Sequence, residues 1–416
     1  MAKAKQALLR DCVNLSLSFP MALDLETIYE RLFCNCESRG FAGHDPFDGL
    51  NSVLFQFTPL KYFTLPRLAW QQMLKRSPAD LRRVLGVKKG VNPKALALFA
   101  RAELSRFRTT DDVHHSKNAR DLIERLLTMK IEGRADVDRP TAAFGYDFDW
   151  QSRYFFAPVG TPAIVPTAFA SQAFVEAYQT LKSEIYLSAA TEICDFILTG
   201  LNRSIETKDE VCFSYTPIDH SVIFNASLLA GECLASVAAI TGEHEYREMA
   251  AKTVRFVIRR QRQDEAWTYG VGSSQAWVDN FHTAYVLQSL HRISTAIPDL
   301  RTETDEPMRR GIAFWRDNFF LEDGTPKYYD SEVYPIDIHS AAVAIAAMCE
   351  LRAADERMLP MARKTANWTI ENMLGPEGHF YYQKRRNLCL KTPFMRWGQA
   401  WMAYALTRLI EAEKNQ

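Results

Sequence analysis

The chain has 416 residues, of which 47% are hydrophobic, 24% charged and 12% aromatic, a globular composition that excludes a disordered or fibrous chain. Lys plus Arg number 50 and Asp plus Glu number 50, so no basic excess marks a nucleic-acid footprint and no acidic excess a cation-binding tail.

The first stretch opens basic, and Asn14, Ser16 and Ser18 interrupt the apolar run that a secretory leader needs. No window reaches the ~18 apolar residues of a membrane span. Of the eight cysteines, Cys12, Cys34, Cys36, Cys194, Cys212, Cys233, Cys349 and Cys389, most lie in apolar stretches. Cys34-Asn35-Cys36 has neither the spacing nor the second pair of a zinc site. The expectation is a cytoplasmic protein with reduced, buried thiols, and no metal or other cofactor.

LETIYERLFCNCESR, LPRLAWQQMLKR, NPKALALFARAELSRF and NARDLIERLLTMKI read as helices. Between the first two lies Gly43-His44-Asp45-Pro46-Phe47-Asp48-Gly49-Leu50, to which no chemistry attaches. Glu132 to Thr167 is a long irregular stretch rich in aromatics and acids, including Asp147, Asp149 and Trp150. It is expected to be either a functional loop lining a cavity or a strap over the edge of the fold.

From there the chain repeats itself. VIFNASLLAGECLA carries Asn225, DNFHTAYVLQSLH carries His282, IDIHSAAVAIAAM carries His339 and RWGQAWMAYALTRL carries Gln399, at intervals of 57, 57 and 60 residues. A further step back of 57 lands on Ala168 in VPTAFASQAFVEAY. Each segment turns into an apolar, small-residue helix, and an amphipathic one follows it; in GEHEYREMAAKTVRFVIRRQ, Tyr246, Ala250, Val254 and Val257 share one face. An aromatic cluster precedes each anchor: Tyr154-Phe155-Phe156, Phe213-Ser214-Tyr215, Trp267-Thr268-Tyr269, Lys327-Tyr328-Tyr329 and Phe380-Tyr381-Tyr382. The unit is an inner helix, a link, an outer helix and an aromatic loop. About thirteen helices, enough for six hairpins about one axis, predict an all-α chain in a single domain over 1–416, with no segment alternating long enough for a large sheet.

In such a ring the loops entering the inner helices converge on one mouth. Asp219, Asn225, Asp279, His282, Asp337, His339, Arg396 and Gln399 therefore become neighbours. Asp279 and Asp337 read equally as helix caps, and His282 and His339 as core histidines. Asp279 and His282, three apart, share a helix face, so the carboxylate can orient the imidazole for proton transfer. Tyr215, Tyr269, Trp267, Trp277, Tyr329 and Tyr382 stand at loops, where rings stack on sugar faces or on one another. The cations Lys384, Arg385, Arg386 and Lys391 read either as a solvated face or as an attractor for an acidic glycan.

Six hairpins with aromatic loops on one rim resemble the (α/α)6 toroid, a double-layer helical barrel. Asp147-Phe148-Asp149-Trp150 is the nearest text to the acidic stretch of terpenoid cyclases and lacks its second acidic pair; the zinc set of protein prenyltransferases has no counterpart. Arg396-Trp397-Gly398-Gln399-Ala400-Trp401 resembles the opening of the last helix in unsaturated glucuronyl hydrolases, with Gln399 where that pattern has Asp. The resemblance to carbohydrate-active toroids, which include glucuronyl hydrolases, sugar 2-epimerases, polysaccharide lyases and uronyl C5-epimerases, implies an enzyme acting on an anionic, uronic-acid-containing glycan. Hydrolysis would draw two carboxyls from Asp147, Asp149, Asp219, Asp279 and Asp337. Lyase or C5-epimerase chemistry would use His282, Tyr215, Tyr269, Asn225 and Arg396, with His339 and Asp337 beside them. The alternatives are a non-catalytic toroid binding a glycan or a protein, and an isoprenoid-handling toroid. The partner expected is a carbohydrate, not nucleic acid; the oligomeric state is not readable.

Overall fold

The computed structural model describes residues 24–133 and 139–415. The interrupted N-terminal run and Cys12 lie outside the described residues. Thirteen helices of thirteen residues or more follow one another: α1 (Leu25–Glu37), α2 (Thr64–Arg76), α3 (Pro93–Thr110), α4 (Val113–Leu127), α5 (Ile164–Leu181), α6 (Glu184–Gly200), α7 (Phe224–Thr241), α8 (His244–Ile258), α9 (Asn280–Ala296), α10 (Arg301–Phe319), α11 (Ile338–Glu350), α12 (Met358–Met373) and α13 (Ala400–Lys414).

Composition sorts them into two layers. In α11, twelve of thirteen residues are buried, because Ala, Ile, Val and Met leave no polar face. In α8, seven of fifteen are buried, on the single face that Tyr246, Ala250, Val254 and Val257 define. Helices α3, α5, α7, α9, α11 and α13 form the inner ring, each packed on the next, and α13 closes onto α3. Helices α4, α6, α8, α10 and α12 return on the outside, and α1 covers α13, so the sixth hairpin pairs the first and last described helices. The protein is an (α/α)6 toroid. Helix α7 is long and apolar enough to cross a membrane, but it belongs to the inner ring and 78% of its window is buried there.

Among the described residues, strands are confined to the loops. Ile131–Glu132 pairs with Ala142–Ala143, Trp150–Gln151 with Phe156–Ala157, and Arg203–Glu206 with Val211–Phe213, all antiparallel. A three-stranded sheet joins Ile336–Asp337, Gln383–Arg385 and Leu388–Leu390. The stretch 132–167 is thus less irregular than expected: it holds strand pairs, and its last residues already belong to α5.

Side-chain caps mark where three of the six inner helices begin. Asn92 accepts from the Lys94 N–H ahead of Pro93 in α3, Asp279 from the His282 N–H in α9, and Asp337 from the His339 N–H in α11. At its far end the ring is closed by polar side chains from all six inner helices. Arg292 bridges Glu232 at 2.9 Å and Glu350 at 2.5 Å. Arg101 reaches Glu176 at 2.6 Å and the Tyr404 hydroxyl at 2.7 Å. Burial alone would raise the Glu350 carboxyl, but the Arg292 guanidinium outweighs it and holds the pKa down to about 2.

The unassigned Gly43–Leu50 segment is a buried clasp. Asp48 accepts from Arg82 Nε at 2.8 Å and contacts His44 Nδ1 at 3.2 Å. Asp45 meets both arms of Arg396, at 2.6 and 2.8 Å. Removing one member of such a buried pair costs about 3–5 kcal/mol, since the other charge is left in low dielectric. This clasp ties the segment between α1 and α2 to the start of α13. No disulfide joins the described cysteines, and burial pushes the Cys36, Cys212 and Cys349 thiols up to about 12.

Candidate active site

The inner helices enter from one rim, where the aromatic loops gather. At the head of α9, Asp279 makes three contacts. Its Oδ1 accepts the His282 backbone N–H at 2.9 Å, and its Oδ2 lies 2.7 Å from His282 Nδ1 and accepts the Trp277 indole N–H at 3.0 Å. Asp279 itself is buried, whereas the His282 side chain keeps 20% of its surface exposed. Nε2 of His282 has no hydrogen-bond partner among the described residues. Tyr269 stacks on Trp277 with ring centres 4.5 Å apart and leans on His282 at 4.5 Å. A part-exposed imidazole, oriented by a carboxylate and flanked by stacked rings, has the parts of a general base.

At the head of α11 the same residue types do something else. Asp337 caps the helix, accepts the Trp397 indole N–H at 2.9 Å and takes Gln383 Nε2 at 3.2 Å. Burial pushes its carboxyl up to about 6. His339 is 1% exposed and lies flat on Trp397, with ring centres 3.9 Å apart. Its Nδ1–H donates to the Trp397 carbonyl at 2.9 Å and its Nε2 accepts from the Tyr285 hydroxyl at 3.0 Å. Burial, and after it the neighbouring Lys94, drive the imidazole pKa well down.

Lys94, in the first turn of α3, completes this chain. Its Nζ donates to the Tyr285 hydroxyl at 3.3 Å and lies 4.0 Å from the Phe169 ring centre and 5.3 Å from that of Trp401. It has no carboxylate partner among the described residues, and burial drives its pKa well below the usual lysine value. Sequence reading missed both residues. Tyr285 is three residues from His282, so the helical period could have found it; Lys94 lies where the 57-residue spacing no longer registers.

Around these stand other expected residues. Tyr215 and Tyr146 share a hydroxyl–hydroxyl bond of 2.7 Å, and Trp150 lies 5.2 Å from Tyr215. Tyr329 is half-buried and pairs its backbone with Asp279. Asp147 takes the Asn92 amide at 2.6 Å, and burial pushes its carboxyl up to about 6. Asp149 accepts from Val159 N–H at 2.8 Å, at the rim. Asn225 is buried in the first turn of α7, with Oδ1 unpartnered among the described residues.

Besides His339 and Asp337, which were expected to be catalytic and are buried in packing at the head of α11, five expectations need correction. Trp267 is core: it is 2% exposed, donates to the Val257 carbonyl at 3.0 Å and packs where Gly311 makes room, since a Cβ there would stand 2.3 Å from the indole. Gln399 spends its amide on both backbone groups of Phe380, at 2.8 Å each, within a π-helical turn ahead of α13. Asp219 is consumed by Thr216 and Ser221 in its own turn. Tyr382 is 2% exposed and packs edge-on against Phe394. Arg396, expected to bind substrate, is clasped by Asp45. The last-loop cations also have local contacts, with Lys384 on Asn372 and Lys391 over the Tyr381 ring. No group of three His, Cys, Asp or Glu among the described residues is placed to hold a metal ion.

No family model matches this sequence, and no curated protein matches it. Solved structures do. A cellobiose 2-epimerase from Bacillus thermoamylovorans B4167 superposes with a TM-score of 0.61 at 10% identity, covering 93% of this chain and 100% of that one. An unsaturated glucuronyl hydrolase specific for heparin gives 0.59 at 14% identity, covering 94% and 96%. An α-mannanase of glycoside hydrolase family 76 from Bacteroides thetaiotaomicron gives 0.60 at 11% identity, covering 78% and 87%. Likeness at such identities establishes a shared (α/α)6 architecture.

Proposed function

We propose that this chain is a carbohydrate-active enzyme whose reaction turns on proton transfer by His282. The carrying observation is the Asp279–His282 pair, with Nδ1 held at 2.7 Å, the side chain 20% exposed and Nε2 without a hydrogen-bond partner among the described residues. In the neutral ring the Nδ1–H donates to Asp279, and Nε2 takes a proton from substrate; the carboxylate then stabilises the imidazolium. Trp277 and Tyr269 offer the stacking surface for a sugar ring. The structural neighbours, an epimerase, a hydrolase and a mannanase, support a carbohydrate substrate. The buried thiols support the cytoplasmic location expected from sequence.

Two features favour abstraction of a carbon-bound proton next to a carboxylate or carbonyl, as in elimination or epimerisation. Asp279, Asp337 and Asp219 all spend their oxygens on protein groups, which leaves few free carboxyls for hydrolysis. Lys75 stands 4.2 Å over the Phe47 ring without an ion-pair partner among the described residues, a cation suited to a uronate now that Arg396 is committed. One observation sustains hydrolysis as a second reading: Asp147, with its raised pKa, is suited to a general acid.

The test incubates the protein in D2O with glucuronate-, mannuronate- and galacturonate-containing oligosaccharides and with cellobiose and mannobiose. NMR follows deuterium uptake at carbon and unsaturated products. The expected result is turnover of one class, lost in His282→Ala at unchanged melting temperature. Release of reducing ends that survives in His282→Ala and disappears in Asp147→Asn would replace proton abstraction by hydrolysis. No turnover of any member, with binding retained, would make the chain a glycan-binding toroid.

A further inference from the structure

Beside the mouth, the segment from Val53 to Lys89 differs in its surface from the rest of the molecule. Seventeen large hydrophobic side chains are exposed among the described residues, and nine of them fall between Val53 and Val84. Several project almost fully: Phe57 is 87% exposed, Leu65 78% and Tyr62 73%. A single exposed leucine is ordinary, but a run of aromatic and aliphatic side chains on one short segment marks a contact surface.

The charge of the same segment is one-sided. Between Val53 and Lys89 the sequence has eight Lys and Arg and one acid, Asp80, in a chain whose overall charge is zero. Arg82 is buried on Asp48. Lys61, Arg67, Arg76, Arg83, Lys88 and Lys89 make no ion pair within 4.0 Å among the described residues. On the outer helices, by contrast, Arg247, Arg255 and Arg309 meet Asp299, Glu303 and Glu306. The two features interleave: Lys61 lies 5.3 Å from the Tyr62 ring centre, and Lys88 lines a hollow of about 420 Å³ with Val53, Phe57 and Val159, where Asp149 is the one acid.

We infer that this surface docks on an anionic lipid bilayer. Apolar side chains enter the boundary between headgroups and acyl chains while the flanking lysines and arginines meet the phosphates, the combination by which peripheral proteins hold to membranes. A second copy of the chain fits less well, because two such faces brought together would oppose like charges. The surface joins the mouth through Gln71, which bonds the backbone of Gln151, and Arg67, which stacks over Phe156 at 4.0 Å. The inference is independent of the reaction carried out there.

The experiment is flotation of the full-length protein with vesicles of phosphatidylcholine, alone or mixed with phosphatidylglycerol, at low and high salt. Expected is binding to the mixed vesicles only, weakened by salt as screening shortens electrostatic reach. The double variants Phe57→Ser/Phe63→Ser and Lys88→Glu/Lys89→Glu should each lower the vesicle affinity about tenfold or more, by the size of interfacial apolar and charge contributions. All four side chains are exposed, so melting followed by circular dichroism should not change, and the salt dependence of the unmodified protein is a second readout. Three results would overturn the inference: no binding to mixed vesicles at low salt, binding unchanged in both variants, or a dimer in sedimentation that Phe57→Ser/Phe63→Ser disperses. Retention on an acidic polysaccharide or nucleic acid, with none on vesicles, would overturn it as well.

Discussion

The heads of α9 and α11 are built from the same residues and end in opposite states. In α9 the acid precedes the histidine by three residues, so Asp279 both caps the helix and reaches the ring. In α11 it precedes by two, so Asp337 reaches the backbone N–H of His339, and the ring turns onto Trp397 and Tyr285 instead. One residue of offset rotates a side chain by about 100° around a helix. The lesson is that a repeat position sets the height of a side chain, while spacing to the cap decides whether it faces the mouth or the core.

The largest break in this comparison should come from His282→Ala. Turnover of the substrate found in the D2O panel should fall about 10²-fold or more, the size of a general-base contribution, with the melting temperature unchanged. Equal turnover, or a large drop in melting temperature, would give His282 the role assigned to His339. The reverse substitution, His339→Ala, should cost about 3 kcal/mol in denaturant unfolding, because it opens a cavity against Trp397 and strands the Tyr285 hydroxyl. Unchanged stability there would show that the buried chain from Lys94 to Trp397 is not structural.

Asp337 sharpens the contrast through pH. Its folded pKa of about 6 lies above the unfolded value of about 3.9. The stabilisation it contributes is therefore full below pH ~4 and is lost as the pH rises through about 6, because the buried ionised form is the costly one. Compared with Asp337→Asn, the wild-type protein should lose about 2 kcal/mol between these limits, measured by urea unfolding. A constant difference across that range would contradict the assignment. The smallest effect is expected from Trp277→Phe, which keeps the stacking surface and removes only the indole N–H to Asp279. Turnover should fall by about tenfold at most, in line with about 1 kcal/mol for one hydrogen bond, and a hundredfold loss would mean that this bond positions the dyad.

Much of the architecture was legible because helical burial is periodic. The 57-residue recurrence, the uncharged inner segments and the amphipathic outer ones determined two layers and their order, since a helix without a polar face must be covered on all sides. The heads of the inner helices, with Asp279 and Asp337 before their apolar runs, were legible as caps. The tertiary structure decided which residues meet across the ring. Asp45 and Arg396 are 351 positions apart, Lys94 and Tyr285 191 apart, and the polar closure formed by Arg101, Glu232, Arg292 and Glu350 draws on different helices. No period in the chain encodes such pairs, because each depends on the closing of α13 onto α3. The fate of Trp267 and Gln399 was likewise decided there: a ring or an amide at a loop end reads as a binding group until a neighbouring turn offers it Gly311 or the backbone of Phe380.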